Sequence, residues 1–137
     1  ELETLLGPLS DAGVSIFHAS TRRFWEAGFR ELSERTLAGW TRHITGKPVI
    51  AVGSVGLAGV ASTAKTEPGQ INSATISFGD SALDGVDQVE AMMAAGEFDM
   101  IAVGRAILAD PDWANKVRDG RLDERIPFEK ALLSSLY

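Results

Sequence analysis

Two short stretches of this 137-residue chain carry residue types that bind anions: Gly53–Ser54 in "KPVIAVGSVGL" and Gly104–Arg105 in "EFDMIAVGRAIL". In each, a short apolar run stops at Val-Gly and a hydrogen-bond donor follows. The chemistry this suits is the grip of a phosphate. Backbone N–H groups hold an oxyanion best at close range, and a Cβ would keep the backbone away from it. Arg105 adds a guanidinium fork matched to phosphate oxygens, and Ser54 adds a hydroxyl. One such triplet is a weak signal, since glycine ends many strands merely where the chain turns. Two on successive apolar runs, the second backed by Arg105 and the short segment "RAIL", favour phosphate binding over a plain turn.

The elements that must position these residues alternate. "LETLLGPLSDAG" has apolar residues at helical spacing and stops at Gly13. Val14 to His18 reads as a buried strand, and "TRRFWEAGF" as a polar and aromatic loop. "SERTLAGWTRHITG" predicts a helix capped by Ser33 and ended by Gly46. Pro48 then starts the strand "VIAV", where its missing N–H does little harm. Residues 58 to 79 are rich in Ser, Thr, Gly, Ala and Pro without a period; so long a loop marks a functional or mobile segment.

"SALDGVDQVEAMMAAG" predicts a helix with Ser81 or Asp84 as cap and Gly96 as stop. "FDMIAV" is a third strand and "GRAILAD" a short helix started by glycine. Pro111 sits at the first turn of a helix that Gly120 ends, and "PFEKALLSSLY" closes the chain as a terminal helix. The strands are continuous apolar runs, as expected of a parallel sheet covered on both faces. The fold class is therefore α/β, built of parallel β/α units. In such folds ligands bind at the carboxyl ends of the strands, where Gly53 and Gly104 stand.

Composition narrows the function classes. A net charge of −6 argues against nucleic-acid or membrane-surface partners, and no apolar run approaches the roughly 20 residues that span a bilayer. There is no cysteine, so no disulfide, thiolate nucleophile or thiolate metal site. A hydrophobic content of 45% supports a core, and the N-terminal "ELETLLGPLS" lacks the pattern of a signal peptide. A soluble, cytoplasmic protein is the expectation. The start at Glu1, inside a helical pattern, suggests a fragment or a processed chain.

"FHASTRRFW", "GKPVIAVGSVGL" and "FDMIAVGRAILADPDWANKVRDGR" together resemble the C-terminal part of the old yellow enzyme family, the NAD(P)H:flavin oxidoreductases. The most specific piece is "VGRAILADPDW", and the resemblance spans nearly the whole chain, least well from Ala58 to Ser81. It implies the C-terminal portion, about strands six to eight, of an FMN-binding (β/α)8 TIM barrel whose N-terminal half is absent. It also implies that Gly53, Ser54, Gly104 and Arg105 hold the FMN phosphate. The implied reaction takes a hydride from NAD(P)H to the flavin and on to an activated alkene such as an α,β-unsaturated carbonyl. No catalytic residue can be carried over, because the family's carbonyl-binding pair and proton donor belong to earlier strands. His18 and His43 are not that pair. Pairing with the missing half of the barrel, or self-association, is the expected partnership, and the chain alone is expected to be inactive.

Other candidates have plainer readings. His18 is expected to pack against a loop, and His43 to lie on the surface. Arg22, Arg23 and Trp25 lie on the loop after the first strand, where a substrate could pass, though loop arginines are more often solvated or ion-paired. Trp40, Trp113, Met92 and Met93 read as packing residues, and Asp110 and Asp112 as helix-start carboxylates. Two alternatives stay open: a non-enzymatic α/β phosphate-binding or assembly module, and a fragment of another phosphate-binding barrel.

Overall fold

The computed structural model describes residues 1–57 and 85–134. The predicted cap candidates Ser81 and Asp84 and the 58–79 loop lie outside the described residues. The described chain forms two compact units, one of Glu1–Ser54 and Asp87–Val103, the other including residues 55–57 and 104–134.

The first unit holds a parallel three-stranded sheet, β1 (Phe17–Ser20), β2 (Val49–Val52) and β3 (Met100–Ala102), in that order. Helices α1 (Leu2–Asp11), α2 (Leu37–Thr45) and α3 (Val86–Ala94) precede the respective strands. The α/β expectation with parallel strands therefore holds. The register sets Phe17 opposite Val49 and Val52 opposite Ala102, so β2 and β3 end beside each other.

One face of the sheet forms the core. Phe17, Ala19, Val49 and Ala51 are buried, whereas His18, Ser20 and Met100 on the other face are exposed and Ile50, Val52 and Ala102 are half-buried. The sequence predicted both faces covered. Side chains alternate at period two, and the described residues bury only one of the two sets. Phe24 and Phe98, 2% and 1% exposed, meet edge to face at 6.1 Å in this core. Each such buried ring contributes about 1.5–3 kcal/mol, and the ring–ring geometry about 0.5–1.5 kcal/mol more.

Helix ends follow local chemistry with some shifts from the sequence reading. The first strand begins at Phe17 rather than Val14. Val14 instead turns its carbonyl to the Lys47 ammonium, which also holds the Ser10 carbonyl at 2.9 Å and so ties off α1. Thr36, not Ser33, caps α2: its hydroxyl accepts the Gly39 N–H at 3.0 Å. What decides it is Glu97, whose carboxylate accepts the Thr36 N–H at 2.9 Å and its hydroxyl at 2.7 Å. Ser33 accepts the Arg35 N–H instead. Gly46 closes α2 in the left-handed conformation, φ 64°, as glycine readily does.

The second unit contains α4 (Arg105–Ala109) and α5 (Trp113–Arg118), followed by short 3-10 turns at Leu122–Glu124 and Lys130–Ser134. The predicted terminal helix is thus a 3-10 turn over its described part. Leu57, Ala109 and Phe128 form its small core, with Leu132 against it. Trp113 is buried, and Gly56, at φ 73°, leaves space for it: a Cβ there would stand 2.4 Å from Ala106 Cβ and 3.1 Å from the indole nitrogen. Pro111 precedes α5 rather than opening it.

Asp110 is more than a helix-start carboxylate. At 2% exposure it accepts from the Lys116 ammonium at 2.7 Å, the Ile126 N–H at 2.9 Å and the Asp112 N–H at 3.1 Å. Two packing assignments fail: Met93 is 38% exposed and Met92 only half-buried, because α3 turns Val89 inward instead.

Candidate functional site

Each Val-Gly corner was expected to offer bare main chain. The first corner is strongly tied to protein. Gly53 has φ +154°, and a Cβ built there would stand 2.8 Å from both Phe24 N and Thr21 O. Glycine is thus demanded by the loop that follows β1, which lies directly against it. Four hydrogen bonds clamp that loop to the end of β2. The Thr21 N–H and hydroxyl both donate to the Val52 carbonyl, at 3.1 and 2.9 Å. The Phe24 N–H donates to the Gly53 carbonyl at 3.2 Å, and the Ser54 hydroxyl donates to the Arg22 carbonyl at 2.7 Å.

Ser54 stands at φ +68°, left-handed, where a side chain costs about 1–2 kcal/mol and glycine would cost nothing. Among the described residues it is the one non-glycine with positive φ. Its hydroxyl is the feature glycine could not supply.

The second corner has no such neighbour among the described residues. Gly104 starts α4 with φ −103°, and no described atom lies within 4 Å of where its Cβ would be. Arg105, the first residue of α4, is half-buried, its guanidinium 5.7 Å from the centre of the Phe128 ring. Burial alone holds its pKa below the usual guanidinium range, and among the described residues no carboxylate or carbonyl offsets it. The group stays charged all the same. A half-desolvated cation without an anion is the electrostatic condition that favours an external one.

The pairing of Val52 with Ala102 brings the strand ends that lead into these corners side by side within the first unit. Gly53 and Ser54 close that unit on β2, and Gly104 and Arg105 open the second one.

The other candidates fall as follows. His18 is exposed on the open sheet face, not packed against a loop, because the alternation of β1 turns it away from the core. His43 is on the surface, its ring 5.9 Å from Trp40. Arg23 pairs with Glu26 at 2.6 Å within the loop after β1, and Trp25 stacks edge-on with Phe24 at 5.0 Å. Asp99 was not singled out by its sequence context. It accepts the Val49 N–H at 2.9 Å and Arg42 Nε at 3.2 Å, which together hold its carboxyl below the ordinary range, the Val49 bond first. That cluster lies at the amino end of β2, away from Gly53, and serves the fold. No helix among the described residues is long and apolar enough to cross a membrane.

No protein-family profile matches the chain. Over 35 residues it is 46% identical to an NADH oxidase of Thermoanaerobacter brockii, a stretch covering 26% of this chain and 5% of that protein. The match is a short, distant link to an oxidoreductase.

Proposed function

We propose that this chain is the C-terminal, phosphate-gripping portion of an FMN-dependent NAD(P)H oxidoreductase barrel of the old yellow enzyme type. Gly53, Ser54, Gly104 and Arg105 would hold the FMN phosphate. The observation that carries the reading is Arg105: a half-buried guanidinium directly after an open glycine, with no counter-charge among the described residues. The side-by-side ends of β2 and β3, the sequence resemblance and the short match to an NADH oxidase support it.

When bound, FMN would supply hydride transfer from reduced nicotinamide to an activated alkene. This chain's own residues would contribute binding. Arg105 would neutralise phosphate charge, and Gly104 would keep a Cβ out of its way. Turnover by the chain alone is not expected, since the described sheet has three strands and a closed barrel needs eight. The outer edges of β1 and β3, unpaired among the described residues, suit pairing with further barrel strands or with a second copy.

The test is to purify the chain and titrate it with FMN, inorganic phosphate and a sugar phosphate, following flavin absorbance and calorimetric heat. Tighter binding of FMN than of phosphate, lost in Arg105→Ala, supports the proposal. Binding of phosphate alone points to a non-enzymatic phosphate module. A preference for the sugar phosphate points to another barrel family.

A further inference from the structure

Arg105 carries its charge on a side chain with many rotamers, and a site gains affinity when such a group is already held where the ligand needs it. Among the described residues no acceptor takes any of its N–H groups. What lies against the guanidinium is the Phe128 ring, its centre 5.7 Å from the central carbon. A carboxylate in that place would hold Arg105 too, but it would cancel the charge and occupy the N–H fork. A ring does neither: the negative face of its π-system attracts the cation, and the donors stay available. We infer that Phe128 is the positioning residue of the anion grip, holding the Arg105 guanidinium ready for a phosphate without competing for its N–H groups. This rests on the phosphate-grip reading and deepens it, and it needs only the Gly104–Arg105 corner.

Phe128 is itself fixed, and every residue that fixes it belongs to the second unit. It is 9% exposed and packs with Leu57 and Ala109. Ala109 stands four residues after Arg105, on the same face of α4, so one ring reaches both positions. The backbone leading to the ring is tied down two residues earlier, where the Ile126 N–H donates to the Asp110 carboxylate at 2.9 Å. The Lys116 ammonium donates to the same carboxylate at 2.7 Å and to the Glu124 carbonyl at 3.1 Å. Asp110 is 2% exposed, so this anchor is sheltered from solvent, and it directly follows α4. The segment that carries the ring is thus fastened to the end of the helix that carries Arg105. Cation and ring keep their spacing because both depend on that one helix.

The Nε–Hε pair of Arg105 reports the contact, because the ring current displaces the resonance of a proton held against it. In the nitrogen-15-labelled full chain, that signal is identified by its loss in Arg105→Lys. It is expected to be displaced in the native chain and in Phe128→Tyr, and to return to the ordinary arginine position in Phe128→Leu. Inorganic phosphate, followed by calorimetry, is expected to bind the native chain and Phe128→Tyr alike, and Phe128→Leu about three- to fivefold more weakly, as one cation–ring contact implies. The indole N–H of Trp113, buried in the same unit, is expected to stay protected from hydrogen exchange in both variants, which separates lost positioning from lost fold. Equal binding by Phe128→Leu with that protection intact overturns the positioning role and leaves the grip standing. So does a Phe128→Tyr chain as weak as Phe128→Leu. If Phe128→Leu loses the protection, the native chain decides alone: an Arg105 signal at the ordinary position overturns the role, and a displaced one supports it. If the native chain binds no phosphate, the grip fails and the positioning role with it.

Discussion

The two Val-Gly corners look alike in sequence and differ in what makes them glycine. At Gly53 the requirement is internal: positive φ and the backbone of the loop after β1, packed where a Cβ would go. At Gly104 neither holds; φ is ordinary and no described atom lies where its Cβ would go. Their partners differ in the same sense. The Ser54 hydroxyl is bonded within the protein, whereas the Arg105 guanidinium has a ring beside it but no anionic or hydrogen-bonding partner among the described residues. A repeated motif can thus carry a packing demand at one copy that the other lacks.

The largest effect that would break this contrast is on stability. Gly53→Ala should destabilise the chain by about 3 kcal/mol or more, from overpacking and strain combined. Gly104→Ala should stay within about 0.5 kcal/mol. Urea unfolding of both variants measures the difference, and equal losses would show that the corners are alike after all.

Next comes binding. Arg105→Ala should weaken phosphate about tenfold or more, as expected for losing charge-assisted hydrogen bonds. Its melting temperature should change little, because the loss is one ring contact worth about 0.5–1 kcal/mol. Calorimetry and a thermal melt separate the two outcomes.

A third difference concerns acid. The Asp110 carboxyl is held below its usual range, first by the Lys116 ammonium and then by the Ile126 N–H. A carboxyl with a lowered folded pKa stabilises above its unfolded value, and that contribution is lost as pH falls through the folded one. The second unit should therefore loosen below about pH 4. Asp110→Asn should lower the melting temperature at neutral pH and flatten this acid dependence, as fluorescence of the buried Trp113 would follow. The smallest effect is at Ser54. Ser54→Ala keeps the strain and loses the hydrogen bond, for about 1 kcal/mol, whereas Ser54→Gly also relieves the strain and should be close to neutral.

Much of the α/β order was legible because it depends on local signals: Gly13, Gly46 and Gly96 end helices, and the apolar runs before Gly53 and Gly104 are strands. The misreadings share a cause in contacts made far along the chain. Ser33 and Thr36 are both reasonable caps locally, and Glu97, distant in sequence, selects Thr36. Val14 is as apolar as any strand residue, and the Lys47 ammonium holds its carbonyl outside the sheet. At the candidate site, residue types pointed to Arg105, but the lack of a counter-charge beside it among the described residues is visible only in the fold. The Ser54 hydroxyl was visible in sequence as a donor; its acceptor, the Arg22 carbonyl, was not.

The Glu97 carboxylate has a consequence for the order of assembly. It fills the space above Gly39, where a Cβ would lie 2.2 Å from its oxygen, and it fastens the start of α2 across 61 residues. Closing so long a loop is entropically slow compared with winding one short helix. As the chain emerges from synthesis, α2 has only its local Thr36 cap, and the Glu97 bonds that fix that cap form once the segment before β3 arrives.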